Sequence, residues 1–299
     1  MERILILVLV YSLNGVLSND IVNDRPIIGV LSQEQSVYLH TKYPEENYTS
    51  YIAASYVKDV EASGARVVPI LVLIPGGATY FNQSNGYADA GQHIYEIAQE
   101  LNDAGDYFPI FGTCLGFELL IILASGRGKV ENRIRCYSYS NLPLNFTSDF
   151  RNSKMFKETP EDIINLLKNE DLTVNAHQFC IVDANLKAYN LTNEWLVTSY
   201  SDDDYGVQYP FYGVQFHPEK NSFEWKKSKN YAHSLEAIKA NRYFMDFFVR
   251  ECRKSGHSFE SASEENQYLI YNHEPHFTGV LGSAYHQCYL FEPRGIVSN

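Results

Sequence analysis

This 299-residue chain has little positive charge and no internal linker, and both absences narrow its class. Lys and Arg number 24 against 36 Asp and Glu, a net charge of −12. No basic stripe interleaved with aromatics occurs either, which argues against a nucleic-acid partner. The same balance disfavours long-range steering of an acidic substrate. No stretch rich in Gly, Ser and Pro, no sustained charge block and no repeat divides the sequence. Its 45% hydrophobic residues are therefore expected to build one core in one domain. The histidines show no ligand spacing such as His-Glu-x-x-His, so no metal is expected, and no organic cofactor is needed. Cysteine is scarce as well. Five is an odd number, which suits one free thiol, with Cys136, Cys180, Cys252 and Cys288 as buried thiols or in up to two disulfides. A chain with an adequate core does not need such bonds, so mostly free buried thiols are expected.

The apolar run at residues 4–10 is too short to span a bilayer. It follows Arg3 and precedes the small residue Ser18, with Val16 two before it, the pattern of a cleaved secretory signal over residues 1–18. That leaves 19–299 as the catalytic domain. Asn-x-Ser/Thr sequons at Asn47, Asn82, Asn145 and Asn190 are glycan acceptors for a chain on that route.

The chemistry is concentrated in two places. Gly112-Thr113-Cys114-Leu115-Gly116-Phe117-Glu118 lies between an apolar stretch at 107–111 and a helical pattern at 117–124. Cys114 thus occupies a strand-to-helix corner, a nucleophile elbow. Gly112 and Gly116 flank it because a strained turn has no room for Cβ atoms two residues either side. The helix that starts there is expected to lower the thiol pKa and to offer the Leu115 N–H to an oxyanion. About a hundred residues on, Gly213-Val214-Gln215-Phe216-His217-Pro218-Glu219 ends an alternating strand at 211–216. Pro218 fixes the turn that returns Glu219 to the His217 imidazole, a Cys-His-Glu relay.

These two segments resemble those of the class I glutamine amidotransferase-like superfamily, and more closely the gamma-glutamyl hydrolases. The segments at 25–33, 53–58, 64–69, 74–77, 143–146 and 287–289 support the narrower match, which covers nearly the whole chain after the first twenty-odd residues. The resemblance implies a flavodoxin-like three-layer α/β sandwich with a mostly parallel central sheet. It also implies cysteine-dependent hydrolysis of folylpoly-gamma-glutamates, a lysosomal or secreted location and a homodimer. By resemblance, Gly77, after Gly76, supplies the second oxyanion N–H, and His177 lies near the substrate. Glu118, one helical turn past Cys114, is a candidate for the substrate ammonium or a buried neighbour. Lys220, Arg66 and Arg127 are candidates by position for the substrate carboxylates. A glutamine amidotransferase would use the same relay but be cytosolic and paired with a synthase.

Along the chain, strands are expected at 26–31, 67–74, 174–182 and 195–200, with helices at 50–63, 90–101, 160–168 and 234–254. The last carries Leu235, Ile238, Met245, Phe248 and Cys252 on a core stripe. In the family, the strand corresponding to residues 66–70 is followed by a helix and a second strand before the Pro-Gly-Gly motif. Here Val67 runs straight on to Pro75-Gly76-Gly77, without the dozen or so residues that a parallel crossover needs. A helix and a strand are expected to be missing between Ile70 and Leu73, which leaves an inactive or binding variant as the rival to a working enzyme.

Overall fold

The computed structural model describes residues 22–35, 37–43, 47–126, 133–192, 195–200, 202–203, 206–207 and 212–293. The expected secretory signal at residues 1–18 and the candidate Arg127 lie outside them. Runs of β-branched and apolar residues form a central sheet of four parallel strands in the order β1 (Ile27–Val30), β2 (Arg66–Ile74), β3 (Phe111–Thr113) and β4 (Gly213–Val214). Ile28, Val30, Val67, Leu73 and Phe111 are fully buried, as expected where helices cover both faces.

On one side α1 (Ala54–Ala62), α4 (Glu161–Asn169) and α5 (Leu235–Cys252) share an apolar cluster with these residues. A second cluster joins α2 (Tyr87–Asp103) and α3 (Leu115–Ala124) to Leu31 and Ile74. This is the three-layer α/β arrangement that the resemblance implies, with the strand ends of β3 and β4 side by side.

β2 is one unbroken strand of nine residues. Its first part pairs with β1 at Ile27↔Arg66, Ile28↔Val67 and Gly29↔Val68. The register then jumps so that Val30 meets Leu73, while Leu73 and Ile74 also pair with Phe111 and Gly112 of β3. The jump passes over four residues beginning at Pro69, which has no N–H to give to a ladder.

Several expectations change. Residues 50–53 are a strand, not the first turn of a helix, because they pair antiparallel with Cys288–Phe291 in a second sheet. The segment at 174–182 divides into Thr173–Val174 and His177–Cys180, which pair with Asn141–Leu142 and Ile134–Ser138. Leu235 is 81% exposed rather than core, because it is the first residue of α5, just past the Ser234 cap, whose hydroxyl accepts from Ala237 N–H. Cys136 and Cys180 form a disulfide, and Cys114, Cys252 and Cys288 are free and buried. All four sequon asparagines are exposed. No helix among the described residues is long and apolar enough to cross a membrane, and no cluster among them fits a metal ion.

Candidate active site

Cys114 sits where β3 turns into α3, with φ +49° and ψ −108°, a conformation that an L-residue adopts only under constraint. The constraint comes from both sides. Cys114 N–H donates to Val214 O (2.7 Å) and its carbonyl accepts from Glu118 N–H (2.9 Å). A Cβ on Gly112 would lie 2.7 Å from Phe117 N, and one on Gly116 only 1.9 Å from Ile74 O. The thiol is 4% exposed.

His217 follows β4 and is 3% exposed, its N–H donating to Val174 O (2.9 Å). Its Nδ1 is 2.8 Å from Glu219 Oε1, so the turn through Pro218 does return the carboxylate to the ring. A Cβ on Gly76 would sit 2.7 Å from His217 Cε1 and 3.1 Å from Cys114 Cβ. The imidazole edge and the Cys114 side-chain base therefore both adjoin that glycine.

The electrostatics differ from the expectation of an activated thiolate. Burial, then Glu118 and Glu219, push the Cys114 thiol up, against smaller opposing effects of Lys220 and the Leu115 N–H. Burial also holds His217 below its ordinary value, although Glu219 pulls the other way. Burial alone would raise Glu219, but His217 and Lys220 keep it below the usual carboxylate range. Burial thus works against charge on both the thiol and the imidazole, while the carboxylate of Glu219 is favoured. Desolvation outweighs the helix N-terminus, whose field is worth only about 0.3–1 kcal/mol when exposed and up to about 2 when partly buried.

The remaining candidates divide. Glu118, 2% exposed, accepts at Oε1 from Gln215 Nε2 and at Oε2 from Arg133 Nη1, both at 2.8 Å. Its cation is therefore a buried neighbour. Arg133 itself lies between the rings of Phe81 and Phe179, 4.5 and 4.6 Å from their centroids. His177 is buried within electrostatic reach of both Glu118 and His217. Lys220 is 3% exposed, 3.8 Å from Glu219 Oε1 and over the Tyr285 ring. Arg66 does not join the site. It begins β2, at the far end of the sheet, and pairs with Glu265.

Sequence reasoning missed Gln215, Arg133 and Tyr56. Gln215 had a signal, since residues two apart on a strand share a face, and its Nε2 lies 3.7 Å from Cys114 Sγ. Tyr56 and Arg133 are brought in by tertiary packing alone.

Two outcomes are expected. Glu219→Gln removes the charge that supports the imidazolium, so kcat should fall about 10²- to 10⁴-fold. The acid limb of kcat/KM, expected below pH ~6.5 in the parent, should move lower still. Arg133→Met leaves Glu118 buried without its cation and should cost about 3–5 kcal/mol in urea unfolding at pH 8. Glu118 is already raised by burial, and the variant raises it further. The deficit should therefore shrink as pH falls toward the unfolded carboxyl value and the group protonates.

The family model "Glutamine amidotransferase class-I" matches residues 48–234. Among curated proteins, the gamma-glutamyl hydrolase of Rattus norvegicus is 39% identical over 295 positions, covering 89% of this chain and 90% of its own. That of Homo sapiens is 37% identical (90% and 90%), and gamma-glutamyl hydrolase B of Dictyostelium discoideum 34% (90% and 84%). In the rat alignment, 89% of 299 residues is about 266, so about 29 of the 295 positions face gaps in this sequence. With this identity along nearly its whole length, the chain belongs to the gamma-glutamyl hydrolase family of class I glutamine amidotransferase-like proteins.

Proposed function

We propose that this chain hydrolyses gamma-glutamyl amide bonds in folylpoly-gamma-glutamates and antifolate polyglutamates through a glutamyl thioester on Cys114. The observation that carries this is the Cys114 elbow and the His217 ring both set against Gly76, with Glu219 on Nδ1 of that ring. Because Nδ1 is held by Glu219, Nε2 is the nitrogen left for the thiol. As Sγ attacks the gamma-carbonyl carbon, its proton passes to Nε2, and Glu219 stabilises the imidazolium that forms. The tetrahedral oxyanion rests on the N–H groups of Leu115 and Gly77. The imidazolium then protonates the leaving amine, the C–N bond breaks, and a thioester remains. Water, deprotonated by His217, attacks that thioester to release the gamma-carboxylate and restore the thiol. Glu118 and His177 shape the pocket around these groups, Glu118 through Gln215 and Arg133.

The unbroken β2, its register jump and the gaps opposite the rat protein support the absence of one helix and one strand between Ile70 and Leu73. Even so, β2 ends beside β3 and Gly76 adjoins Cys114, which supports Gly77 as the second oxyanion donor despite the shortened region. A secretory signal and four exposed sequons support a lysosomal or secreted glycoprotein, which we take to be a homodimer as the family implies.

The test is incubation of the purified secreted chain with pteroyl pentaglutamate, with product lengths resolved by chromatography. Shortened products that require Cys114 are expected. An intact substrate in the presence of soluble, monodisperse protein would overturn the reading and leave a binding role.

A further inference from the structure

We propose that Tyr56 is a positioning residue that ties the Gly76–Gly77 side of the oxyanion site to the catalytic imidazole. This rests on the hydrolase reading above. Tyr56 lies in the first turn of α1 and is 1% exposed. Its Oη accepts from Gly76 N–H at 2.9 Å and lies 3.3 Å from His217 Nδ1. A Cβ on Gly76 would be 2.7 Å from this same oxygen. Phenol, glycine and imidazole are thus in mutual contact, with no room for one to move without the others.

The contact is directional. Glu219 on Nδ1 fixes a proton there, so Tyr56 Oη meets that N–H as a second acceptor. Burial, then the charge of Glu219, hold the phenol well above its ordinary value, so it stays a neutral hydroxyl throughout turnover.

The loop is held from its other side as well. Pro75 O accepts from Tyr87 Oη (2.6 Å), and Gly76 O accepts from Gln33 Nε2 (2.7 Å) and Tyr285 Oη (3.3 Å). In a planar trans peptide the next N–H points opposite to the carbonyl. Fixing Gly76 O therefore fixes the direction of Gly77 N–H. Tyr56 is the one member of this set that also touches the residue moving the proton. It makes oxyanion donor and proton shuttle one rigid unit, and such preorganisation acts on kcat rather than on substrate binding.

The test compares Tyr56→Phe with Tyr285→Phe in the full secreted chain. One readout is steady-state cleavage of pteroyl pentaglutamate. The other is the pH profile of Cys114 alkylation by iodoacetamide, followed by peptide mapping, which needs no substrate. Tyr56→Phe should lower kcat about 10- to 100-fold with KM within about 3-fold. It should also shift the alkylation profile to higher pH, because the thiolate that reacts forms by passing its proton to His217, and the resulting imidazolium has lost an acceptor. Tyr285→Phe should lower kcat without moving that profile. A parent-like kcat for Tyr56→Phe, a loss confined to KM, or an unmoved alkylation profile would each overturn the proposal. If the parent itself cleaves nothing, the hydrolase reading fails and the alkylation profile alone decides.

Discussion

Cys114→Ala should leave a folded, soluble protein whose turnover has fallen by at least about 10⁴-fold, since removing the nucleophile of a relay costs nearly as much as removing all of it. Stability should barely change. Among the described residues, the sulfur's one side-chain hydrogen bond is the 3.7 Å approach of Gln215 Nε2, and alanine occupies φ +49° at the same cost as cysteine. Cys114→Gly should be just as inactive but more stable, by about 1 kcal/mol, because glycine adopts positive φ without the Cβ clash. Urea unfolding of the three proteins side by side reads this directly. A glycine variant less stable than the alanine one would mean that the elbow stores no strain. Residual turnover above a few per cent in either variant would remove Cys114 as the nucleophile.

The features legible in the sequence are those whose causes are local. Gly112 announces the elbow because the atoms that exclude a Cβ there belong to Gly116 and Phe117, a few residues on, and His217-Pro218-Glu219 because the turn that returns the carboxylate is itself only three residues long. The length of the apolar run into Pro75 likewise showed that β2 has no crossover. What stayed hidden depends on partners far along the chain. Residues 50–53 read as helix until Cys288–Phe291 supplies the ladder that overrides their propensity. The Cys136–Cys180 bond spans 44 residues, a pairing that spacing cannot choose. The sign of the thiol shift was lost for the same reason. A helix N-terminus can be read from the sequence, whereas burial and the approach of Glu118 and Glu219 cannot.

The glycines of the elbow carry the largest structural effect, and Gly116→Ala should be the most damaging small substitution. Its methyl would lie 1.9 Å from Ile74 O and 2.6 Å from Ile74 C, backbone atoms of the β2 end that pairs with Gly112. Neither side can yield cheaply, because β2 is held between β1 and β3 and α3 is anchored by buried Leu119 and Leu120. Contrast Gly91, whose added Cβ would meet the flexible end of Leu119, and Gly105, whose φ is +81° but whose surroundings are open. Gly105→Ala should cost about 1 kcal/mol from backbone strain alone. Gly116, which has no positive φ, meets overpacking instead, and Gly116→Ala should cost about 3 kcal/mol or more. The displacement also reaches the chemistry, because Ile74 leads directly into Pro75-Gly76-Gly77. If β2 slides to admit the methyl, the second oxyanion donor moves with it, and a shift of about 1 Å costs on the order of 10²-fold in rate. The variant should therefore lose stability and kcat together, while Gly105→Ala keeps the parent's kcat. A Gly116→Ala protein with parental unfolding and turnover would show that the α3–β2 contact is looser than the backbone geometry requires.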